Sequence, residues 1–342
     1  NHLWRRPMKN LCAQKILSLV SMGCILAFTL AAPGSGHAAD SEEIKVGITQ
    51  IVTHPALDAN RQGFIDQMEE EGFIEDENIT YDFRNPEGDM SLAASIAQKF
   101  VSSKVDLILA IATPTAQACV NAVKNTDIPV VFGSVTDPVE AGLVDSWEDP
   151  GGQVTGVSDW ADVQAQIELI LEIVPKVKKI GVIYNSGETN SKVQVSELKS
   201  IAPDLGIDKV VEANAATTAD VMGAAQSLMG RVDAVWVPTD NTVVSAFDAV
   251  VKVCEDHKVP AFAADTATVE RGAIGTPGID YYLLGQEDGK IAAKILKGTS
   301  PADIPVRKIP LTNLILNPKA AERMGVTIPE SVLDRASKVV KE

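Results

Sequence analysis

At 342 residues, 45% of them hydrophobic and 22% charged, the chain has the composition of a soluble globular protein of about two domains, which excludes wholesale disorder. Its formal charge of −16 comes from 46 acidic against 30 basic residues, with no Lys/Arg-rich face of the kind that replaces counterions on nucleic acid. The acidity reads as a solvated, self-repelling surface.

The first forty residues have a different character from the rest. Arg5, Arg6, Lys9 and Lys15 precede an apolar run over 16–32, and Pro33-Gly34-Ser35-Gly36 then lead into His37-Ala38-Ala39-Asp40. This order of charged, apolar and small-residue zones predicts a secretory signal peptide within residues 1–39, with Met8 as the natural start and cleavage near Ala39. Its removal takes away four basic residues and no acidic one, so the expected mature protein is periplasmic and more acidic still. Cys24 follows Ser21-Met22-Gly23, loosely as in a lipoprotein site, but the apolar run continues past it, and lipid anchoring is the lesser expectation. Cys119 and Cys254 each fall inside a helical pattern and are expected as small core residues, not disulfide partners.

Beyond the leader, strands and helices alternate. A strand at 44–50 is followed by the loop Thr53-His54-Pro55 and a helix over 56–71, whose Phe64, Ile65 and Met68 fall at helical spacing before Gly72 stops it. A half-buried strand at 79–83, a turn at 85–89 and an amphipathic helix over 91–102 lead to an apolar strand at 105–111. A helix over 115–124 and a strand at 128–132 come next, ending at Gly133-Ser134-Val135-Thr136-Asp137-Pro138. After a turn-rich stretch at 149–152 and a short run at 154–157 the order begins again. It gives a helix over 163–174, a strand at 179–184, a polar loop at 185–190, a helix over 191–201, a strand at 209–212, a helix over 218–229 and a strand at 232–237. A helix over 285–297 and a strand at 312–316 close the chain. Such alternation predicts an α/β fold with parallel sheets covered on both faces, and ligand sites beyond the carboxyl ends of the strands.

The two halves can be aligned. Val105-Asp106 matches Val232-Asp233, and Val131-Phe132-Gly133 with Val139-Glu140-Ala141-Gly142 matches Ala261-Phe262-Ala263 with Val269-Glu270-Arg271-Gly272. A spacing of roughly 130 residues is too long for a small-repeat solenoid, so the pattern reads as a duplicated lobe facing its twin across a cleft. The expected division is a first lobe over 44–157 with a return segment at about 279–311, and a second over 158–278 with a return at about 312–342.

Catalytic machinery is scarce. Beyond the leader there are two histidines, His54 and His257, and neither belongs to a metal-ligand pair or a nucleophile elbow. No phosphate-cradling loop is present, and neither metal nor cofactor is expected. What does cluster at strand ends is polar and neutral in the first half and acidic in the second. Thr113, Thr115, Ser134 and Thr136 offer hydroxyls and loop amides at helix starts, where a carboxylate is favoured, although the same residues could serve only as helix caps. Asp240 and Asp265 follow strands and could accept an ammonium group, or could cap. A zwitterion suits the combination. The loop 185–190 leaves a strand at its ligand-facing end and forms a third candidate rim.

These motifs resemble a known family. His54-Pro55-Ala56-Leu57-Asp58, Ala112-Thr113-Pro114, Val135-Thr136-Asp137-Pro138, Tyr184-Asn185-Ser186-Gly187-Glu188-x-Asn190-Ser191, Pro238-Thr239-Asp240-Asn241-Thr242 and Gly278-Ile279-Asp280-Tyr281-Tyr282 are similar to motifs of ABC-transporter substrate-binding proteins of the TrpX-like type, over about residues 44–338. The resemblance implies a type I periplasmic-binding fold: two Rossmann-like lobes with parallel sheets joined by a three-stranded hinge. Carried over by position, it implies a cleft built from His54, Thr113, Ser134, Thr136, Asn185, Ser186, Glu188, Asn190, Thr239, Asp240, Asn241 and Asp265, with Asp265 as the ammonium partner. Where many relatives carry a second acid, this chain reads Ala264-Asp265-Thr266-Ala267. The implied function is a monomeric, non-enzymatic solute receptor that closes on an aromatic or other apolar amino acid and delivers it to a membrane ABC permease. The alternatives are a sensor that presents its closed form to a membrane signalling protein, and an enzyme using Glu188 and Asp240 as a carboxylate pair.

Overall fold

The computed structural model describes residues 43–310 and 313–341. The predicted leader at 1–39, Cys24 within it, and Thr312 lie outside the described residues. The chain runs β1 (Ile44–Gln50), α1 (Pro55–Glu70), β2 (Ile79–Arg84), α2 (Met90–Ser102), β3 (Leu107–Ile111), α3 (Thr113–Val123), β4 (Val130–Gly133) and β5 (Val154–Ser158). It continues through α4 (Val163–Ile173), β6 (Lys179–Tyr184), α5 (Thr189–Ile201), β7 (Lys209–Asn214), α6 (Val221–Leu228), β8 (Ala234–Val237), α7 (Asn241–Ser245), α8 (Phe247–His257) and β9 (Ala261–Ala263). The tail contains β10 (Gly275–Gly278), α9 (Tyr281–Leu296), β11 (Arg307–Lys308), β12 (Asn313–Leu316), α10 (Pro318–Arg323), α11 (Glu330–Leu333) and β13 (Lys338–Val339). Among the described residues no helix is long and apolar enough to cross a membrane.

Two parallel sheets dominate. One has the strand order β11-β5-β4-β3-β1-β2 and the other β7-β6-β8-β9; every neighbouring pair in both runs parallel. The order β2-β1-β3-β4 therefore reappears as β7-β6-β8-β9, which is the duplication seen in the sequence. The paired Val-Asp motifs have a common task. Asp106 Oδ2 accepts a hydrogen bond from Lys45 N at 2.7 Å, and Asp233 Oδ2 accepts from Lys178 N at 2.9 Å and Lys179 N at 2.8 Å. Each aspartate thus satisfies backbone amides where the first strand of its sheet begins. In both sheets the chain moves one way from the first strand to the second and the other way to the third. The loops diverge there and leave a crevice at the carboxyl ends.

Apolar alternation explains the burial. Leu107, Leu109 and Ile111 of β3 face Phe64, Met68, Leu284 and Ile291, while Ile108 and Ala110 face Phe100, Cys119 and Phe132 on the other side. The second sheet closes around Trp236, Phe247 and Phe262, and Trp236 Nε1 donates to Gln166 Oε1 at 3.0 Å. Cys119 and Cys254 are free, buried core residues, and burial pushes both thiols up to about 12.

The tail ties the two sheets together. Helix α9 returns to pack on α1, and β11 extends the first sheet along β5 with Arg307 opposite Val157. A small sheet of β10, β12 and β13 sits with the second core, to which Leu316, Ala321 and Met324 belong. The chain passes between the two large sheets three times, after β5, after β10 and after β11. The α1–α9 contact is unusually close because it is made through glycines. A Cβ on Gly285 would lie 1.9 Å from Asn60 O, and one on Gly63 would lie 2.1 Å from Tyr282 O.

Helix starts differ from the sequence reading. Helix α9 begins at Tyr281 instead of Gly285 because Asp280 caps it, accepting from Tyr282 N at 2.9 Å and Leu283 N at 3.2 Å. Helix α3 begins at Thr113 with Pro114 in its first turn, and α5 at Thr189, so Asn190 belongs to a helix and not to a loop.

Gly285→Ala should destabilise the protein by about 2–4 kcal/mol in denaturant unfolding, since overpacking against helix backbone has no flexible group to move. Gly223→Ala, in helix α6 with nothing within 4 Å of the added Cβ, should instead stabilise it by about 0.5–1 kcal/mol.

Candidate ligand-binding site

The carboxyl ends of the two sheets meet around a small buried cavity with about 20 Å³ of free space. His54, Leu57, Ser134, Thr136, Asp159 and Tyr281 line it from elements of the first sheet and its packed helices; Asn190, Thr239, Asp240, Asn241, Val244 and Asp265 line it from the second. That volume is room for about one water and far below the roughly 300–1,000 Å³ of ligand pockets, so a ligand enters only when the walls move apart. No lysine or arginine is in the lining, whereas three aspartates are.

The acids differ in how far their oxygens are committed. Asp240 caps α7: its Oδ1 accepts from Val243 N at 2.8 Å, while Oδ2 accepts from Asn185 N and Ser191 Oγ, both at 2.6 Å. Asp265 caps a short 3-10 turn through Oδ1, which accepts from Ala267 N at 2.7 Å. Its Oδ2 has no hydrogen-bond partner among the described residues and stands 3.9 Å from His54 Nδ1. Asp159 follows β5, with Oδ1 accepting from Thr136 Oγ1 at 3.0 Å and Oδ2 from Tyr281 Oη at 3.2 Å. Capping and lining are therefore compatible roles here.

Burial sets the electrostatics. Desolvation raises Asp159 and Asp265 to about 6 each, and Asp159 adds to the rise of Asp265. Asp240 is pushed up to about 8 by burial and by neighbouring Glu188. His54, 6% exposed, is driven down to about 4, so it is a neutral imidazole at neutral pH, and its buried Nδ1 has no hydrogen-bond partner.

The hydroxyls are more constrained than their sequence suggests. Thr115 Oγ1 donates within its own helix start, to Ile111 O at 2.6 Å. Ser134 Oγ donates to Asn60 Oδ1 at 2.8 Å, and Thr136 Oγ1 donates to Asp159. Thr113 Oγ1 is buried without a partner, beside Ala112, whose φ of 82° and ψ of 151° lie in a region almost reserved for glycine. Because the proton of Thr136 goes to Asp159, the contact of 3.2 Å between Thr136 Oγ1 and Thr239 Oγ1 has Thr239 as donor. Thr239 Oγ1 in turn accepts from Gln194 Nε2 at 2.8 Å. A continuous chain of hydrogen bonds thus crosses the cleft from Gln194 to Asp159.

Eight of the twelve residues carried over from the family line the cavity, but Thr113, Asn185, Ser186 and Glu188 do not. Asn185 is engaged with Thr242 Oγ1 at 2.9 Å, and Ser186 N donates to Asn214 Oδ1 at 2.9 Å on the outer side of the rim. Glu188 accepts from Asn190 Nδ2, from Asn241 N and Nδ2, and from Thr242 N and Oγ1. It is a brace beneath the cavity floor. Each oxygen of Glu188 and Asp240 accepts at least one hydrogen bond from a neighbouring donor. Among the described residues no cluster of three or more His, Cys, Asp or Glu could hold a metal.

The sequence reading missed Asp159, Tyr281, Leu57 and Val244, and its picture of a neutral first half is corrected by Asp159. The signal for Asp159 was its place directly after the short apolar run at 154–157; for Tyr281 it was the capping aspartate before it.

Two duplicated parallel sheets that share a buried cavity have the type I periplasmic-binding fold. The chain matches the family described as ABC transporter substrate binding protein over residues 45–340, and it belongs to that family. It is an extracytoplasmic solute-binding protein that serves an ABC transporter's membrane permease. It is 44% identical over 315 residues to a protein of Clostridioides difficile (strain R20291) named "Tyrosine-binding protein", covering 89% of this chain and 90% of that one. A Streptococcus pneumonia ABC domain solved in complex with L-Trp is 41% identical with a TM-score of 0.83, covering 87% of this chain and 100% of that one. The ligand-free, open structure of a Clostridium difficile substrate-binding protein with adhesive properties is 45% identical with a TM-score of 0.66, covering 87% and 99%. The family and these relatives are substrate-binding proteins.

Removing the brace should unfold the second lobe more readily. Glu188→Ala leaves five donors without their acceptor and should lower stability by about 3–5 kcal/mol, read as a drop in thermal midpoint. Ser186→Ala should leave both stability and ligand affinity within error.

Proposed function

We propose that the cavity takes an aromatic amino acid, with its ammonium group between Asp159 and Asp265 and its side chain against Leu57, Val244 and Tyr281. The observation that carries this reading is the lining itself: acids on both sides of a closed cleft and no side-chain cation among them. A buried carboxylate is costly unless paired, so the cavity is electrostatically incomplete without a cationic group. Thr113, whose buried hydroxyl has no partner and lies outside the lining in this arrangement, and the first amides of α3 become donors for the ligand carboxylate when the walls move apart. Ammonium and carboxylate share one carbon in an amino acid, and Thr113 and Ser134 follow neighbouring strands, since Ala112 N donates to Gly133 O at 2.9 Å. The ligands of the relatives, tyrosine by name and L-Trp in a complex, support the same class.

The lobes are assigned to residues 44–157 with about 279–311, and 158–278 with about 312–342; sheet and core membership support this except at the boundary, where Ser158 ends β5 of the first sheet, so Asp159 is counted with the first lobe. The arrangement is that of the closed state, supported by a TM-score of 0.83 to the L-Trp complex against 0.66 to the open, ligand-free relative. The site needs residues of one chain only, which supports a monomer that binds without catalysis and delivers its ligand to the permease. The charged, apolar and small-residue zones over 1–39 support export to the periplasm by a cleaved signal peptide.

In calorimetry with L-tyrosine or L-tryptophan, Asp265→Ala should weaken binding about 100-fold or more, on the order of 3 kcal/mol; unchanged affinity would remove Asp265 from the site. A thermal-shift screen of amino acids should show a stabilisation of roughly 2.7 kcal/mol at about 100 times the dissociation constant, and if no amino acid shifts the midpoint the zwitterion reading fails.

An ammonium favours the ionised acids, so binding releases protons from Asp159 and Asp265. Affinity should therefore be full above about 6 and fall as pH drops through that value, by about tenfold per pH unit for each acid. Calorimetry at pH 7 and pH 5 checks the direction.

A further inference from the structure

Behind the first-lobe wall of the cavity lies a carboxyl group that the ligand contacts leave unused. Asp288 on α9 and Asn60 on α1 are both 0% exposed. Asn60 Nδ2 donates to Asp288 Oδ2 at 2.7 Å, and Asn60 Oδ1 accepts from Ser134 Oγ at 2.8 Å. The three side chains meet over Gly133, where a Cβ would lie 2.2 Å from Asp288 Oδ2 and 2.6 Å from Asn60 Oδ1. Ser134 itself is held in the left-handed region with φ of 54°. A glycine that admits the contact and a strained serine that ends it both serve one hydrogen-bonded chain leading from the interior to the cavity.

The direction of these bonds fixes what the ligand meets. Burial raises the Asp288 carboxyl well above its ordinary range, and with its proton on Oδ1 the Oδ2 accepts from Asn60 Nδ2, which turns the amide so that its carbonyl oxygen faces Ser134, and a carbonyl oxygen only accepts. Ser134 Oγ has one proton, which points back into the protein, so the hydroxyl presents lone pairs to the cavity. A serine in that state cannot donate to a ligand carboxylate. It can accept from a ligand N–H. Asp288 Oδ1, meanwhile, is buried without a hydrogen-bond partner, a cost the fold carries for no packing benefit in an apolar core.

We infer that Asp288, acting through Asn60, sets the Ser134 hydroxyl as a hydrogen-bond acceptor for the ligand's ammonium group, and so contributes to selection of amino acids over the corresponding acids that lack it. Asp288 and Asn60 are positioning residues, since neither lines the cavity. The choice of the ammonium rests on the amino-acid reading above; the orientation of the chain does not.

The test has two arms. Neutron diffraction from the deuterated protein should place the Ser134 deuteron on the line to Asn60 Oδ1, and a deuteron directed into the cavity would overturn the inference whatever the ligand is. In calorimetry, L-tyrosine is compared with 3-(4-hydroxyphenyl)propionate, which differs only in lacking the ammonium. Ser134→Ala and Asp288→Ala should each reduce the wild-type preference for tyrosine by about tenfold, as loss of one charge-assisted hydrogen bond does. The double variant should lose no more than either single one, because Asp288 acts through Ser134. An unchanged preference in folded Asp288→Ala, or additive losses in the double variant, would refute the role. Because the readout is a ratio between two ligands, a merely structural loss that weakens both equally also counts against it. If the wild-type protein binds neither compound, the amino-acid reading fails and the deuteron position alone decides the orientation of Asn60 and Ser134.

Discussion

The structure depends on one electrostatic constraint: buried carboxylates from elements of both sheets meet in one cavity whose lining holds no lysine or arginine, with Arg271 the cation that offsets Asp265 from outside it. Asp159 and Asp265 both lie in the lining and both rise to about 6 through desolvation. A closed site of this kind is complementary to something positively charged, and closure without it is disfavoured by burial alone. Recognition and conformational change become the same event in energetic terms, since the group that satisfies the acids also favours the closed arrangement.

Around that constraint the polar wall is ordered so that each group has one available role. Thr136 gives its proton to Asp159, which leaves Thr239 to donate across the cleft; Glu188 and Asp240 are filled by backbone and side-chain donors and shape the floor. Only a few atoms remain uncommitted, among them Asp265 Oδ2 and Thr113 Oγ1. A site built this way reads a ligand through those few atoms, and the surrounding network keeps them from rotating to suit another one.

The duplicated lobes supply two equivalent crevices, yet the site is not symmetric. The first sheet gains β5 and β11 beyond the four strands it shares with the second, and Asp159 sits at the end of that addition. Tyr281, which donates to Asp159, comes from α9, held against α1 by the glycine contacts at Gly63 and Gly285. The tail thus does more than complete the cores. It places one of the two residues that hold Asp159.

By itself the sequence determined the alternation of strands and helices, the duplication, and the clusters of Thr, Pro and Asp that end the strands. These are local: burial on both faces of a parallel strand demands an apolar run, and the loop that follows must cap a helix. Thr136, Asp240 and Asp265 could be named on that basis, and His54 only through the family resemblance. Which polar residues face the ligand was a tertiary decision. Asn185, Ser186 and Glu188 look like rim residues because a loop rich in hydrogen-bonding groups reads the same whether those groups face a cavity or one another. Asp159 was obscure because it follows a strand that the second lobe lacks, and Tyr281 because Asp280 starts its helix earlier than the apolar pattern shows. The direction in which Ser134 holds its proton depends on Asn60 and Asp288, 74 residues before it in one case and joined by a bond spanning 228 residues in the other. Composition and periodicity carry no information about such pairings, because hydrogen-bond polarity is fixed only when distant groups are brought within reach and buried together.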